Sequence, residues 1–235
     1  MCVGVGWWGC GSRGHRLPSR RLSLTPLSPE QADALADHLA DLGHPLSGVT
    51  ADHDAATAFA EAWQRHTGAA PVLSWRGRLH RLGTLTPPEP RPQGRGRVVG
   101  ELDHEQLIRW CSEFAAAVGE APSVDAASWA DTRFADKRFT FWEAPDGTPV
   151  SMAGSTSMVG GMIRVDPVYT PAHLRGRGYA GAVTIEVSRA ALAAGATEVV
   201  LFTDPANTTS NALYQRIGYL PLTDFAGYDF RGVCG

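Results

Sequence analysis

The sequence has few cysteines, no long apolar run and no marked excess of either charge. Its four cysteines are scattered over 235 residues, without a Cys-x-x-Cys pair or the histidine spacing of a zinc site. We therefore expect free thiols, no metal centre and a cytoplasmic protein. No segment approaches the length needed to span a membrane. With 24 acidic and 21 basic side chains, the charge does not favour nucleic acid or an anionic membrane as a partner.

Residues 1–20 combine Gly, Trp and Arg without helical or strand periodicity. We expect a poorly ordered extension there. Its arginines follow the apolar part instead of preceding it, so it does not resemble a secretory signal. A contact of its basic residues with nucleic acid is the less favoured interpretation.

Residues 21–85 show a regular pattern that predicts the order βαβαββ. Ser28-Pro29-Glu30-Gln31 is a capping box with proline at the first helical position. Asp54 is the expected N-cap of a second helix. Val72–Trp75 and Arg78–Leu82 are expected to form a hairpin.

Residues 86–97 contain four prolines and two glycines, too many for a regular element, so we expect an interdomain linker. Residues 98–235 then form a second domain with the predicted order βααβββαβαββ. Its elements include a strand over Val98–Leu102 and a helix over Ser123–Asp136. The turn Pro145-Asp146-Gly147 predicts a hairpin.

One loop of the second domain carries the chemistry. A strand over Met162–Thr170, a turn through Arg175 and a helix from Tyr179 place several backbone N–H groups at a helix N-terminus, which is an anion site. Gly178 lets the backbone approach a phosphate closely. Arg175 and Arg177 add positive charge around it.

Three interpretations compete for this loop. One is a surface turn with two solvated arginines. A second is dinucleotide binding, since the letters from Gly176 to Gly181 spell GxGxxG and Glu198 lies at a suitable distance for a ribose contact. That motif should follow a first strand in a parallel array, however, and here it follows three strands joined by turns.

The third interpretation is a resemblance. Arg175-x-x-Gly178-x-Ala180 resembles the (Q/R)-x-x-G-x-(G/A) signature of the GNAT superfamily of acetyl-CoA-dependent N-acetyltransferases, and the segment Asn207–Tyr219 is similar to the family's second cofactor-side segment. The resemblance covers about Val98 to Phe230. It implies an α+β fold of three α/β/α layers, with a mixed, mostly antiparallel sheet flanked by helices.

The resemblance also implies acetyl-CoA as cofactor. The pantetheine arm would lie in a gap between the strand that ends at Val168-Tyr169-Thr170 and the strand Glu198–Thr203, and the pyrophosphate would lie on the loop. The Tyr214 hydroxyl would face the sulfur. The implied cofactor-binding residues are Val168, Tyr169, Thr170, Arg175, Gly176, Arg177, Gly178, Tyr179, Ala180, Asn207 and Ser210.

In the reaction that the resemblance implies, a primary amine of a small molecule or peptide attacks the thioester directly. A lysine-like amine is neutral in only about one molecule in 2500 at about pH 7, so a base is useful. Asp166, Glu143 and His173 are the candidates, in that order. A backbone N–H near Tyr169 is the expected oxyanion donor. Tyr214 is expected to act as a hydrogen-bond donor, because proton transfer from a phenol to a thiolate is uphill by about 2 kcal/mol.

The first half repeats the element order of the cofactor half of the second, which indicates a degenerate GNAT-like half-domain. Leu27 runs straight into Ser28-Pro29, so this half lacks the cofactor loop and is expected to bind no CoA. A half-domain leaves a sheet edge open, and we therefore expect a homodimer.

Because no base is evident, a CoA-binding regulatory module without turnover stays open as the alternative function. The acceptor is not readable from the sequence. Acceptor contacts in this fold would come from residues around Trp110, Trp129, Phe134 and Tyr228, and aromatic residues there are more often core than recognition elements.

Overall fold

The structure is a computed structural model that describes residues 21–43, 45–120 and 129–232. Within these residues the helices are α1 (Pro29–Asp41), α2 (His53–Thr67), α3 (His104–Ala117), α4 (Tyr179–Ala193) and α5 (Thr208–Arg216). The strands are β1 (Arg21–Ser23), β2 (Gly48–Asp52), β3 (Ala70–Leu82), β4 (Arg95–Val98), β5 (Arg138–Glu143), β6 (Pro149–Ser155), β7 (Met162–Tyr169), β8 (Glu198–Thr203) and β9 (Tyr219–Arg231). None of the described helices is both long and apolar enough to cross a membrane.

The chain divides into two compact units. Among the described residues, the first comprises 21–79, 203–206 and 222–232, and the second comprises 80–202 and 207–221. The predicted extension over residues 1–20 lies outside the described residues.

In the first unit, β1 pairs in parallel with β2, and β2 pairs antiparallel with β9. Helices α1 and α2 pack on each other and on a core that contains Val49, Phe59, Trp63 and Phe230. The Phe59 and Trp63 rings stack with their centroids 6.0 Å apart. Burial of these aromatic rings removes a large apolar area from water and stabilises the unit.

One of the two helix caps predicted for the first unit is confirmed. The Ser28 capping box is confirmed, with the Ser28 hydroxyl accepting from the Gln31 N–H and the Gln31 side chain accepting from the Ser28 N–H. The predicted cap at Asp54 is wrong, because β2 runs directly into α2 and Asp52 accepts from the Ala55 N–H at 3.1 Å.

The second unit has the strand order β8-β7-β6-β5-β4, in which β7 and β8 are parallel and the other neighbours are antiparallel. Helix α3 covers one face, where Trp110 packs on Phe141 and Tyr169. Helix α4 covers the other face, where Val183 and Leu201 share a core. The predicted α/β/α layering around a mostly antiparallel sheet is confirmed.

The hairpin predicted from Val72–Trp75 and Arg78–Leu82 is wrong, because Ala70–Leu82 is one continuous strand. Tyr219–Arg231 is also one strand, where the predicted element order had two. Gly77, at the expected turn of the hairpin, does not have a positive φ. A two-residue hairpin turn would need that conformation, so the chain continues straight.

The strand predicted over Val98–Leu102 begins earlier, because β4 starts at Arg95 inside the segment predicted as linker. Glycine is needed there for close approach: a Cβ on Gly96 would lie 2.8 Å from Cγ of Glu186. Part of the helix predicted over 123–136 lies outside the described residues. Its described remainder contains only a short 3-10 turn, Trp129–Asp131.

Candidate active site at the ends of strands β7 and β8

Strands β7 and β8 lie side by side but pair only at their beginnings. The paired stretch runs from Met162 opposite Glu198 to Arg164 opposite Val200. β7 continues to Tyr169, and among the described residues no further pairing joins it to β8. Alternate backbone groups on this side of β7 therefore face a gap. An extended ligand can add to such an edge as a strand does.

The other edge of β7 is held by β6, which fixes the geometry of the gap. Met152 pairs with Tyr169, and the Ser151 hydroxyl donates to the Tyr169 carbonyl oxygen at 2.9 Å. Because the Ser151 proton is used there, the Thr170 hydroxyl donates to the Ser151 oxygen, 2.8 Å away. Arg175 Nε donates to the Thr170 carbonyl oxygen at 3.0 Å. The Thr170 hydroxyl and carbonyl thus bind the protein itself.

The turn between β7 and α4 ends in a helix without a side-chain cap. Gly176 and Gly178 have φ angles of +77° and +81°, a region that favours glycine. Gly178 is the N-cap of α4 and has no side chain to satisfy the first N–H groups of the helix. These groups and the helix dipole favour an anion. Arg177 is exposed beside them.

Gly178 is also closely packed on one side. A Cβ built on it would lie 2.9 Å from Cγ of Pro92. The adjacent Arg91 forms an ion pair with Glu186 of α4 at 2.8 Å, and its guanidinium lies 5.1 Å from the centroid of the Trp142 ring. A larger residue at Gly178 would therefore displace Pro92 as well as adopt an unfavourable φ.

Helix α5 follows β8 and begins at the same edge of the sheet as α4, because the carboxyl ends of parallel neighbours lie together. Its N-cap is Asn207, whose Oδ1 accepts from the Ser210 N–H at 3.0 Å. Tyr214 lies two turns further on and is only 8% exposed. Its ring packs edge-on against Tyr219, with centroids 6.1 Å apart.

The helical pattern predicts that Leu213 and Ile217 form the buried face of α5, and the structure differs at Leu213. Asn211, Tyr214 and Ile217 are buried, whereas Leu213 is half-buried. Leu213 instead faces α4, where a Cβ on Gly181 would lie 3.1 Å from its Cδ1. The tyrosine therefore takes an inward position that the helical pattern assigned to the leucine.

Comparison with known proteins places this arrangement in a family. Residues 104–219, from α3 to the start of β9, match the model of the acetyltransferase (GNAT) family. The chain contains a GNAT acetyltransferase domain. Among curated proteins, none matches the sequence significantly.

Solved structures show the same fold beyond the GNAT domain itself. A GCN5-related N-acetyltransferase from Kribbella flavida is 21% identical, with a TM-score of 0.59 over 91% of this chain and 82% of its own. A GCN5-related N-acetyltransferase from Sphaerobacter thermophilus is also 21% identical, with a TM-score of 0.60 over 91% of this chain and 74% of its own. At these identities the likeness is one of fold.

GNAT domains use acetyl-CoA, and the residues at this edge of the sheet fit that group. The unpaired edge of β7 suits an extended amide-containing arm, and the open N-terminus of α4 beside Arg177 suits a pyrophosphate. Dinucleotide binding, the second interpretation of the loop, does not fit. Glu198 begins β8, at the end of the strand opposite the loop, and lies 3.7 Å from Arg81. A ribose-binding acid belongs at the carboxyl end of the strand.

Asp166, the first candidate base, lies in a cluster of cations. It accepts from Lys137 Nζ, from Arg133 at 2.7 Å and from Arg164 at 3.3 Å. Burial alone raises the pKa of its carboxyl group, but the three charges outweigh burial and the net pKa is lowered. An ion-paired carboxylate of low pKa is a weak proton acceptor, so the structure argues against Asp166 as the base.

The other two candidates are also poorly placed. Glu143 is only 4% exposed and accepts from Arg95 at 3.3 Å and Arg97 at 2.5 Å. It lies on β5, which β6 separates from β7. His173 is exposed in the turn before α4, where its carbonyl oxygen accepts from Arg177.

A carboxylate that the sequence did not single out lies on the α3 side of β7. Glu113 Oε2 accepts from the Tyr169 hydroxyl at 2.7 Å. Burial, together with this hydrogen bond and the charge of Glu113, raises the pKa of Tyr169 to about 12. Tyr169 thus remains protonated and donates to Glu113. Nothing in the sequence pattern of α3 distinguishes Glu113 from the other polar residues of the helix.

The aromatic residues named for acceptor contacts belong mainly to the core. Trp110 of α3 and Phe134 are buried in the core between α3 and the sheet, and Trp129 is half-buried beside them. The alternative interpretation of these residues as core is therefore confirmed for Trp110 and Phe134.

We predict that Asp166→Asn lowers the free energy of unfolding by about 3 kcal/mol at neutral pH, because it removes the negative charge that Lys137, Arg133 and Arg164 share. The matched control is Glu120→Gln. Glu120 binds the same Arg133 but is 44% exposed, so its loss should cost less than about 1 kcal/mol. Urea denaturation measures both.

The stability difference between wild type and Asp166→Asn should depend on pH in a defined direction. A carboxyl group whose pKa is lowered by folding stabilises the protein above its unfolded pKa, and the contribution disappears as pH falls through the folded pKa. The deficit of Asp166→Asn should therefore shrink below about pH 4. A variant of unchanged stability that has lost turnover would instead restore Asp166 as the base.

Proposed function

We propose that the protein is an N-acetyltransferase that transfers the acetyl group of acetyl-CoA to a primary amine of a small molecule or peptide, by direct attack of the amine. The observation that carries the proposal is the convergence of three features at one edge of the sheet. These are the unpaired end of β7, the uncapped start of α4 and the buried Tyr214 of α5.

The chain offers a separate element for each part of the cofactor. Val168 and Tyr169 offer backbone groups to the pantetheine arm, whereas Thr170 can offer only its N–H, because its carbonyl and hydroxyl already bind Arg175 and Ser151. The loop from Arg175 to Ala180 offers N–H groups and charge to the pyrophosphate. Asn207 and Ser210 border the same edge, although the Asn207 side chain also caps α5. When bound, acetyl-CoA supplies the acetyl group as an activated thioester.

Tyr214 suits the role of hydrogen-bond donor to the sulfur. Burial raises the pKa of its hydroxyl well above the ordinary value, and the nearby Tyr219 and Asp166 add to the shift. The phenol therefore stays protonated throughout the physiological range. Complete proton transfer to a thiolate becomes still less favourable, whereas donation of a hydrogen bond does not require it.

We further propose that Glu113 receives the proton of the amine, directly or through water. Glu113 is exposed on the α3 side of β7, and Tyr169 orients its carboxylate. No cation is paired with it among the described residues, in contrast to Asp166 and Glu143. It is thus better suited than Asp166 and Glu143 to accept a proton.

Residues 21–85 are, in our proposal, a degenerate half-domain that binds no CoA. The start of α1 is closed to an anion: Ser28 occupies the Gln31 N–H, Pro29 has no N–H, and Glu30 adds negative charge in the first turn. α4 has a glycine cap and no acidic residue in its first turn. Pairing of a second copy with an open sheet edge of this half-domain remains a prediction.

The decisive assay is release of free thiol from acetyl-CoA in the presence of a panel of primary amines. Release that depends on an amine supports the transferase. Binding of CoA, seen as a raised melting temperature, without release for any amine would favour the regulatory module.

We predict that Tyr214→Phe lowers kcat by about 10- to 100-fold, the effect of losing one donor near developing charge, and leaves the KM for acetyl-CoA nearly unchanged. The control is Tyr219→Phe, which removes a fully buried hydroxyl that bonds Ser188 at 2.7 Å. It should reduce stability without a comparable loss of kcat. An unchanged kcat in Tyr214→Phe would remove this residue from the mechanism.

For Glu113→Gln we predict a pH-dependent loss of kcat/KM. Without a base, the rate follows the fraction of neutral amine and rises about tenfold per pH unit below the pKa of the amine. The ratio of wild-type to variant rates should therefore be largest at low pH and should shrink as pH rises. Glu105→Gln, an exposed residue of the same helix, is the control. A parallel pH profile for Glu113→Gln and wild type would exclude Glu113.

A further inference from the structure

A buried histidine lies beside the helix that carries Tyr214. His80, near the end of β3, is completely buried and belongs to the second unit. Its Nε2 lies 3.1 Å from Oδ1 of Asn211, in the first turn of α5. The centroid of its ring is 6.5 Å from that of Tyr214. Burial of a polar imidazole costs free energy unless the ring is hydrogen-bonded, so the bond to Asn211 offsets part of the cost of burying His80.

The direction of this hydrogen bond follows from the partners of Asn211. Asn211 Nδ2 donates to the Asn207 carbonyl oxygen at 2.7 Å, which makes Oδ1 the acceptor of the side chain. His80 must therefore donate through an Nε2–H. The two bonds join β3, the N-cap residue of α5 and its first turn in one chain of contacts.

Orientation of α5 depends on such contacts. The helix has only nine residues, and helices of that length are held by tertiary packing more than by their own hydrogen bonds. Asn211 and Tyr214 are three residues apart, so they share one face. A hydrogen bond that holds Asn211 therefore also fixes the direction of the Tyr214 side chain.

We propose that His80 is a positioning residue: its Nε2–H holds Asn211 and thereby orients α5 so that the Tyr214 hydroxyl points at the thioester sulfur. This inference rests on the role proposed for Tyr214. His80 touches neither cofactor nor acceptor in this account. It acts through the helix, where a misplacement of about 1 Å can reduce the rate by about 100-fold.

Two substitutions separate the hydrogen bond from the packing of the ring. The amide nitrogen of His80→Gln lies near the place of Nε2 and can still donate to Asn211. The shorter amide of His80→Asn cannot reach it. We expect His80→Asn to lower kcat by about tenfold with little change in the KM for acetyl-CoA, and His80→Gln to restore most of kcat.

The control on the same strand is Arg81→Gln. Arg81 is half-exposed and its contact with Glu198 spans 3.7 Å, so its loss should change neither parameter. If His80→Asn does not fold, Asn211→Ala removes the same hydrogen bond from the helix side and should give the same loss of kcat.

The double variant His80→Asn/Tyr214→Phe provides the sharpest test. Because His80 acts through the Tyr214 hydroxyl, the double variant should be no slower than Tyr214→Phe alone. Multiplied losses would overturn the inference, and so would equal losses in His80→Asn and His80→Gln.

Amide hydrogen exchange tests the structural half of the inference without turnover. Exchange of the α5 amides should be faster in His80→Asn than in wild type and His80→Gln, and equal exchange in all three would overturn the inference. If wild type releases no thiol with any amine, the proposed function fails. Exchange then still decides whether His80 holds α5.

Discussion

The early divergence of β7 from β8 is the constraint on which the site depends. Two parallel strands pair at their beginnings and then separate after Arg164 and Val200, which leaves backbone groups of β7 without a neighbouring strand. A sheet normally satisfies such groups, and an unsatisfied buried N–H or C=O costs about 1–3 kcal/mol. The same feature that weakens the sheet therefore prepares a place for an extended, amide-rich ligand. Helices α4 and α5, which follow the two strands, begin at that place.

The ionisable side chains on the two sides of β7 have different electrostatic surroundings. On the α3 side, Asp166 is ion-paired with Lys137, Arg133 and Arg164, whereas Glu113 accepts from the Tyr169 hydroxyl and pairs with no cation among the described residues. On the α5 side, burial keeps Tyr214 protonated and suited to donate. In the proposed mechanism Glu113 accepts the proton of the amine and Tyr214 donates to the sulfur, which are the two needs of amine attack on a thioester.

Local features of the site were predictable from the sequence, and long-range partners were not. The loop with Gly176 and Gly178 is readable because positive φ angles and a helix start depend on neighbouring residues. The ion pairs of Asp166 were not foreseen, because Arg133 and Lys137 lie about 30 residues away in the chain. The bond between His80 and Asn211 spans 131 residues. Periodicity also misassigned the inner face of α5, because Leu213 packs towards Gly181 of α4 and Tyr214 takes the buried position.

The most direct test of the account is a crystal structure of the protein with bound CoA. The account predicts backbone hydrogen bonds between the pantetheine arm and β7 beyond Arg164, the pyrophosphate against the N–H groups at the start of α4, and the sulfur near the Tyr214 hydroxyl. A cofactor bound elsewhere, or strands β7 and β8 paired along their whole length around an empty edge, would contradict it.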